Sequence, residues 1–261
     1  MLIKNRYYIN IRLGVCMQEQ SGNPALSKKV LQRVMSVDSV EHATVPGTIA
    51  RTIFLLILLT VAGAFSWRAV NVGSTSIAPL LIISIVSALG LGLIASFFPK
   101  STPITAPLYA IAEGVLLGAV SKMYSEQYNN IIIQAVALTG VIFFSALFLY
   151  STRIIKITQK FQSIVLIATG GIFLYYLLTI ILSLFHFQMP LIYNTGPFGI
   201  IFSLVVIFVA ALNLFLDFNL VETAANNKAP KVFEWYGAFA LMVTIVWLYL
   251  EILRLLSKIR N

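Results

Sequence analysis

The sequence has a single cysteine, Cys16, and two histidines, His42 and His186, far apart in the chain. No intrachain disulfide and no cysteine or histidine metal cluster can be built from these. Charge is nearly as scarce, at 10% of residues against about a quarter in soluble domains. Acids are the scarcer sign, 9 against 18 basic residues. Catalytic signatures are missing as well: there is no Walker loop, dinucleotide fingerprint, HExxH or GxSxG. No polar stretch is long enough to carry catalysis, and no enzyme activity is expected.

What remains is apolar. Hydrophobic residues make up 59% of the chain and mean hydropathy is +0.91, which excludes a soluble globular fold. Seven apolar runs follow one another: Ile49–Trp67, Ile77–Phe98, Ala106–Met123, Ile131–Tyr150, Ile164–Phe187, Phe198–Ala225 and Phe233–Ile259. Each is near the roughly 20 residues a helix needs to cross a bilayer. Turn residues separate them, as at Asn71–Ser74, Pro99–Pro103, Gln127–Asn130, Asn194–Pro197 and Asn226–Pro230. The reading is all-α: a polytopic membrane protein with seven transmembrane helices. Residues 1–48 form a polar tail, with a short helix expected around Leu26–Met35, and residues 49–261 the membrane domain. No internal repeat of the transporter kind is visible. Residues 1–16 are basic but lack the clean apolar core of a signal peptide. They read either as an upstream extension before a start at Met17 or as a genuine extension.

The net charge of +9 is dispersed in short clusters between apolar runs, which fits membrane topology rather than a nucleic-acid surface. With the N-terminus cytoplasmic, Arg51, Lys100, Arg153, Lys156, Lys160, Lys228 and Lys231 fall inside with the basic tail. Only Arg68 and Lys122 fall in outer loops. The C-terminal Arg254, Lys258 and Arg260 break the rule. Either the last segment is re-entrant or its basic end snorkels at the outer face.

Ionisable groups at membrane depth cost at least about 2.5 kcal/mol each and are rarely kept without a partner or a task. Three stand inside the last two runs: Asp217, Glu251 and Arg254. Asp217 lies about 12 Å inward from the end of the sixth helix, and Asn213 shares its face. Glu251 can pair with Arg254 at i+3. In the third run Glu113 precedes Gly114 and Gly118, a GxxxG step that permits close helix approach. Glu113 reads equally as a hydrogen-bonded structural acid or as the lining of a polar route. Glu222 reads as interfacial. One register of the last helix, with Trp235 and Tyr236 as interfacial anchors, lets Asp217 and Glu251 approach. Two facing carboxylates cannot both ionise easily, so they can share a proton or exchange it for a divalent cation such as calcium. An aspartyl-protease dyad is disfavoured, because no accompanying Gly-rich signature is present.

Three segments carry a family resemblance. The run LFLDFNLVETAANNKAPKVFEWYGAFALMVTIVWLYLEILRLL is similar to the last two helices of the Bax inhibitor-1 family. YAIAEGVLLGAVS (Tyr109–Ser121) resembles its third helix, and SGNPALS (Ser21–Ser27) the tail of its bacterial branch. The resemblance covers essentially all of residues 21–258. It implies seven helices with the last one central, a bacterial plasma membrane location and a pH-sensitive calcium leak. It implies Asp217 and Glu251 as the pH-sensing gate or cation site, with no cofactor beyond the permeant ion. Many members have aspartate where Glu251 stands. Some pair the first acid with an arginine from an early helix, whereas residues 69–99 hold no Lys or Arg here; Arg254 is the candidate substitute. The resemblance also offers a membrane-bound quality-control protease as a partner, which the N-terminal tail would engage.

Overall fold

The computed structural model describes residues 41–70, 77–155, 157–185 and 196–260. The expected tail helix, the turn at Asn71–Ser74, Lys156, His186 and most of the loop from Gln188 to Pro197 lie outside these. Among the described residues seven α-helices carry the fold: α1 (Val45–Ala69), α2 (Ile77–Phe97), α3 (Thr102–Gln127), α4 (Ile131–Ser151), α5 (Gln159–Leu184), α6 (Pro197–Asn226) and α7 (Val232–Arg260). All seven are long and apolar enough to span a membrane. The chain is a multi-pass membrane protein.

Several helices begin earlier than hydropathy suggests, because local chemistry starts a helix before the apolar run does. Thr44 caps α1, its hydroxyl accepting from Gly47 N–H at 3.0 Å, with proline in the first turn. Thr158 caps α5 in the same way by accepting from Phe161 N–H. Prolines also stand in the first turns of α3 and α6, where no N–H is needed.

The GxxxG step has a definite partner. Gly114 and Gly118 of α3 face Leu59 and Gly63 of α1, and a Cβ at either glycine would lie under 3.0 Å from the opposing backbone. Lipid tails give no hydrophobic drive to helix association, so van der Waals contact at such small-residue faces supplies it. Ser66 of α1 adds a hydrogen bond to the Val115 carbonyl at 2.8 Å.

The last helix is the hub. α7 packs against α1, α3, α4 and α6, while α2 packs on α3 and α5 on α6. At one end of the bundle, the first face, residues 41–44 lie against the α6–α7 turn. His42 and Pro230 form an antiparallel bridge, with Ala43 N–H donating to the Ala229 carbonyl at 2.7 Å and Lys231 N–H to the Glu41 carbonyl at 3.0 Å. At the opposite, second face, Arg260 reaches Asn129 and Gln134 beside the α3–α4 turn. The re-entrant alternative for the C-terminus is therefore corrected: α7 is an unbroken helix that emerges at the far face. Its basic residues do not snorkel as a group either. Lys258 is buried and donates to the Gly199 carbonyl and the Ser203 hydroxyl, each at 3.0 Å, because these α6 oxygens offer it partners inside the bundle.

Candidate functional site

Thr244, Glu251 and Lys258 follow one another at seven-residue spacing along α7. An α-helix drifts only about 20° per heptad, so the three make one stripe. Each is tied to a neighbouring helix at its own height. Thr244 Oγ1 donates to Asp217 Oδ2 of α6 at 2.6 Å. Tyr176 of α5 donates its hydroxyl proton to Glu251 Oε1 at 2.8 Å. Lys258 binds the start of α6, as described above. Together they form a polar seam between α7 and the α5–α6 pair.

Two carboxylates in this seam are nearly sealed: Asp217 is 0% exposed and Glu251 2%. An ion buried alone is costly, and partners must offset that cost. Glu251 has them. Arg254 Nη1 donates to both of its oxygens, at 2.8 and 3.0 Å, and to the Tyr176 hydroxyl at 2.8 Å. The guanidinium also stacks over the Tyr176 ring, 5.1 Å from its centroid. The i,i+3 pair expected from the sequence is thus present and is extended by a tyrosine from α5.

The two acids stand at different heights. Thr244 marks the level of Asp217 and precedes Glu251 by seven residues, about 10.5 Å along the axis. Between them Asn213 is buried, its amide donating to the Thr169 hydroxyl of α5 at 2.7 Å and to the Val209 carbonyl at 2.9 Å. Asn213 and Asp217 share a stripe but are bonded to different neighbours. Glu113 is also buried, on α3. Two α3–α7 contacts set its height: Tyr109 packs edge-on against Phe239, ring centroids 5.0 Å apart, and the hydroxyls of Ser121 and Tyr249 are 2.6 Å apart. Glu113 therefore lies near the level of Thr244, on a different helix.

Two interfacial acids are bonded at the first face. Glu222 accepts from Tyr150 and Arg153. Glu234, buried in the first turn of α7, accepts from Thr44 N–H and Oγ1 at 2.9 Å and pairs with Arg51. Arg51 stacks on Trp235, 5.2 Å from its centroid. Trp235 thus works as an edge anchor, but Tyr236 is fully buried in the core. On a helix, adjacent residues diverge by about 100°, so an anchoring pair of neighbours was too much to ask.

Sequence reading missed Thr244, Tyr176, Lys258 and the Arg51–Glu234 pair. The heptad spacing of Thr244, Glu251 and Lys258 was the available signal for two of them. Tyr176, one of two adjacent tyrosines in α5, left no such pattern. Among the described residues no three His, Cys, Asp or Glu side chains cluster as a metal site.

Comparison with curated proteins gives no match. The family profile described as Bax inhibitor 1 like matches residues 23–261, nearly the whole chain. A helical membrane bundle built on its last helix, matched over that length, belongs to the Bax inhibitor 1 like family.

Proposed function

We propose that the protein is a pH-sensitive cation leak of a bacterial plasma membrane, with its N-terminus cytoplasmic and calcium as a permeant ion. The observation that carries this reading is the seam. Two sealed carboxylates stand at successive heights of the seam: Asp217 of α6, bonded to Thr244 of the central helix, and Glu251 of that helix itself. Hard cations seek oxygen ligands, and hydroxyls and an amide line the same path at Thr244, Asn213 and Tyr176. Because the acids are about 10.5 Å apart along the axis, they act as successive stations rather than one shared site. A cation and a proton compete for the same carboxylate oxygens, which couples flux to pH. Glu113, on α3, is a third acid within reach of a widened path. Arg254 holds Glu251 in place at rest and supplies the positive charge that an early-helix arginine supplies elsewhere in the family.

The test is calcium flux into liposomes across a pH series. Wild type is expected to leak at a pH-dependent rate, and Asp217→Asn and Glu251→Gln are each expected to flatten that dependence. Folded protein that passes no calcium at any pH, or two variants with the wild-type profile, would refute the reading.

A second reading is favoured by one feature. The tail leaves the membrane domain at Glu41, hydrogen-bonded to the turn that leads into α7. A protein captured by the tail, such as a membrane-bound quality-control protease, would pull directly on the central helix. Deleting residues 17–40 is then expected to abolish capture while leaving flux intact; retained capture would exclude the tail.

A further inference from the structure

A groove of about 1500 Å³ opens sideways between α1 and α4. It runs from Val45 to Arg68 on one rim and from Asn130 to Arg153 on the other. At 1.5 Å per residue that is about 35 Å, the full thickness of the hydrocarbon layer. Its volume exceeds the 300–1,000 Å³ or so of a compact small-molecule cleft. The rims carry exposed apolar side chains, among them Ile53, Val136 and Phe144, and the floor is apolar apart from hydroxyls such as Ser121 and Tyr249. The shape suits an extended chain, not a compact solute.

The two ends differ in charge. At the first face, Arg153 is already paired with Glu222 and stacked on Tyr150. At the second face, Arg68 is exposed, and among the described residues no carboxylate pairs with it. Lys122 of α3 lies 5.5 Å from the centroid of the groove-lining Trp67 and is paired with Glu126 at 3.6 Å. Arg68 and Lys122 are the two basic residues that the inside-positive pattern assigns to outer loops. Both are at this end of the groove.

We propose that the groove holds one acyl chain of a membrane phospholipid whose phosphate is bound by Arg68. Arginine presents several donors that match phosphate oxygens. From the headgroup, a chain crosses half of the hydrocarbon layer, about 15 Å, and reaches the level of Gly140. That glycine is nine residues into α4 from Ile131, about 13.5 Å. A Cβ at Gly140 would meet nothing within 4 Å. The bare spot faces the groove at the depth where a lipid tail ends.

The inference is independent of whether the seam conducts. It is tested by native mass spectrometry of the full-length protein in detergent. The probes are dioleoylphosphatidylglycerol and, as a phosphate-free control, dioleoylglycerol. Wild type is expected to retain one phosphatidylglycerol and to prefer it to the diacylglycerol. Gly140→Phe should fill the groove and lower retention about tenfold. Arg68→Ala should keep a bound chain but lose the headgroup preference. Val136→Trp fills the same groove from its exposed rim and serves if Gly140→Phe does not fold. Equal retention by the filled variants would overturn the proposal, as would equal binding of both lipids by wild type. Uptake that appears only after residues 1–40 are removed would overturn it too, by giving the groove to the tail.

Discussion

Alanine at Gly118 and alanine at Gly140 are the same chemical change in two transmembrane helices, yet they should act in opposite directions. A Cβ at Gly118 would fall under 3.0 Å from the oxygen, carbonyl carbon and Cα of Gly63. All three are backbone atoms, so no side-chain rotation relieves the contact and α1 must move away from α3. Overpacking of this kind costs about 1–3 kcal/mol. Glycine to alanine in a helix otherwise gains about 0.5–1 kcal/mol. That gain is common to both sites and cancels in the comparison. The difference between the variants should therefore be the clash alone, about 1–3 kcal/mol, or roughly 5- to 150-fold in the unfolding equilibrium. Gly63→Ala should fall between, since its nearest neighbour is the Gly114 carbonyl oxygen at 3.2 Å. The assay is reversible unfolding in mixed micelles with added dodecyl sulfate, followed by circular dichroism. If Gly118→Ala and Gly140→Ala unfold at the same detergent fraction, the backbone contact does not hold α1 to α3.

Other outcomes follow from the seam and its two ends. Arg254→Met leaves Glu251 buried with only the Tyr176 hydroxyl and should cost about 3–5 kcal/mol; the double variant with Glu251→Leu should regain most of it in the same unfolding assay. Asp217→Asn keeps an oxygen for the Thr244 hydroxyl, whereas Asp217→Leu removes it. The leucine variant should be the less stable by about 0.6–1.7 kcal/mol, the range for interhelical hydrogen bonds in a membrane. At the first face, the hydrogen bond and charge of Lys231 hold the Glu41 carboxyl below its ordinary value of 4.5. A depressed folded value means that this pair contributes above 4.5 and is lost as pH falls through the lower, folded value. Exchange at the Ala43 amide, corrected for its intrinsic rate, should therefore rise under acid conditions in wild type. Lys231→Ala should abolish that rise; an identical pH profile would mean that the ion pair does not fasten the segment.

The number of spans and their order were legible because long apolar runs and turn residues are strong, local signals. The last helix being the hub was legible only through the family resemblance, since hydropathy scores α2 and α7 alike as lipid-compatible. The site was half legible. An acid in an apolar run announces itself, so Asp217, Glu251 and Glu113 could be singled out. Their partners could not. Thr244 and Tyr176 are ordinary residues in a membrane helix, and only packing shows which hydroxyl meets which carboxylate. The relative height of Asp217 and Glu251 depends on how α6 slides against α7. That register is set by contacts such as Gly237 against Val221 and Lys258 against Ser203, which have no counterpart in local sequence. Lys258 was misread for a related reason: a basic residue near a chain end normally stays in water, and here oxygen acceptors on α6 draw it inside.

The Arg51–Glu234 pair joins residues 183 positions apart, and the neighbouring Thr44–Glu234 bond spans 190. In a chain made and inserted from its N-terminus, α1 is in the bilayer long before its carboxylate partner exists. Contacts of such sequence separation form late. Until the final thirty or so residues are in place, Arg51 lacks the Glu234 carboxylate, the groove between α1 and α4 lacks the part of its floor lined by Leu241, Ile245 and Tyr249, and the Thr244 hydroxyl is not there to bond Asp217. Assembly therefore closes in one late event, the docking of α7. A chain cut short before that helix would keep the α1–α3 glycine contact and the packing of α5 on α6, but would lack the helix that joins these two parts into one bundle.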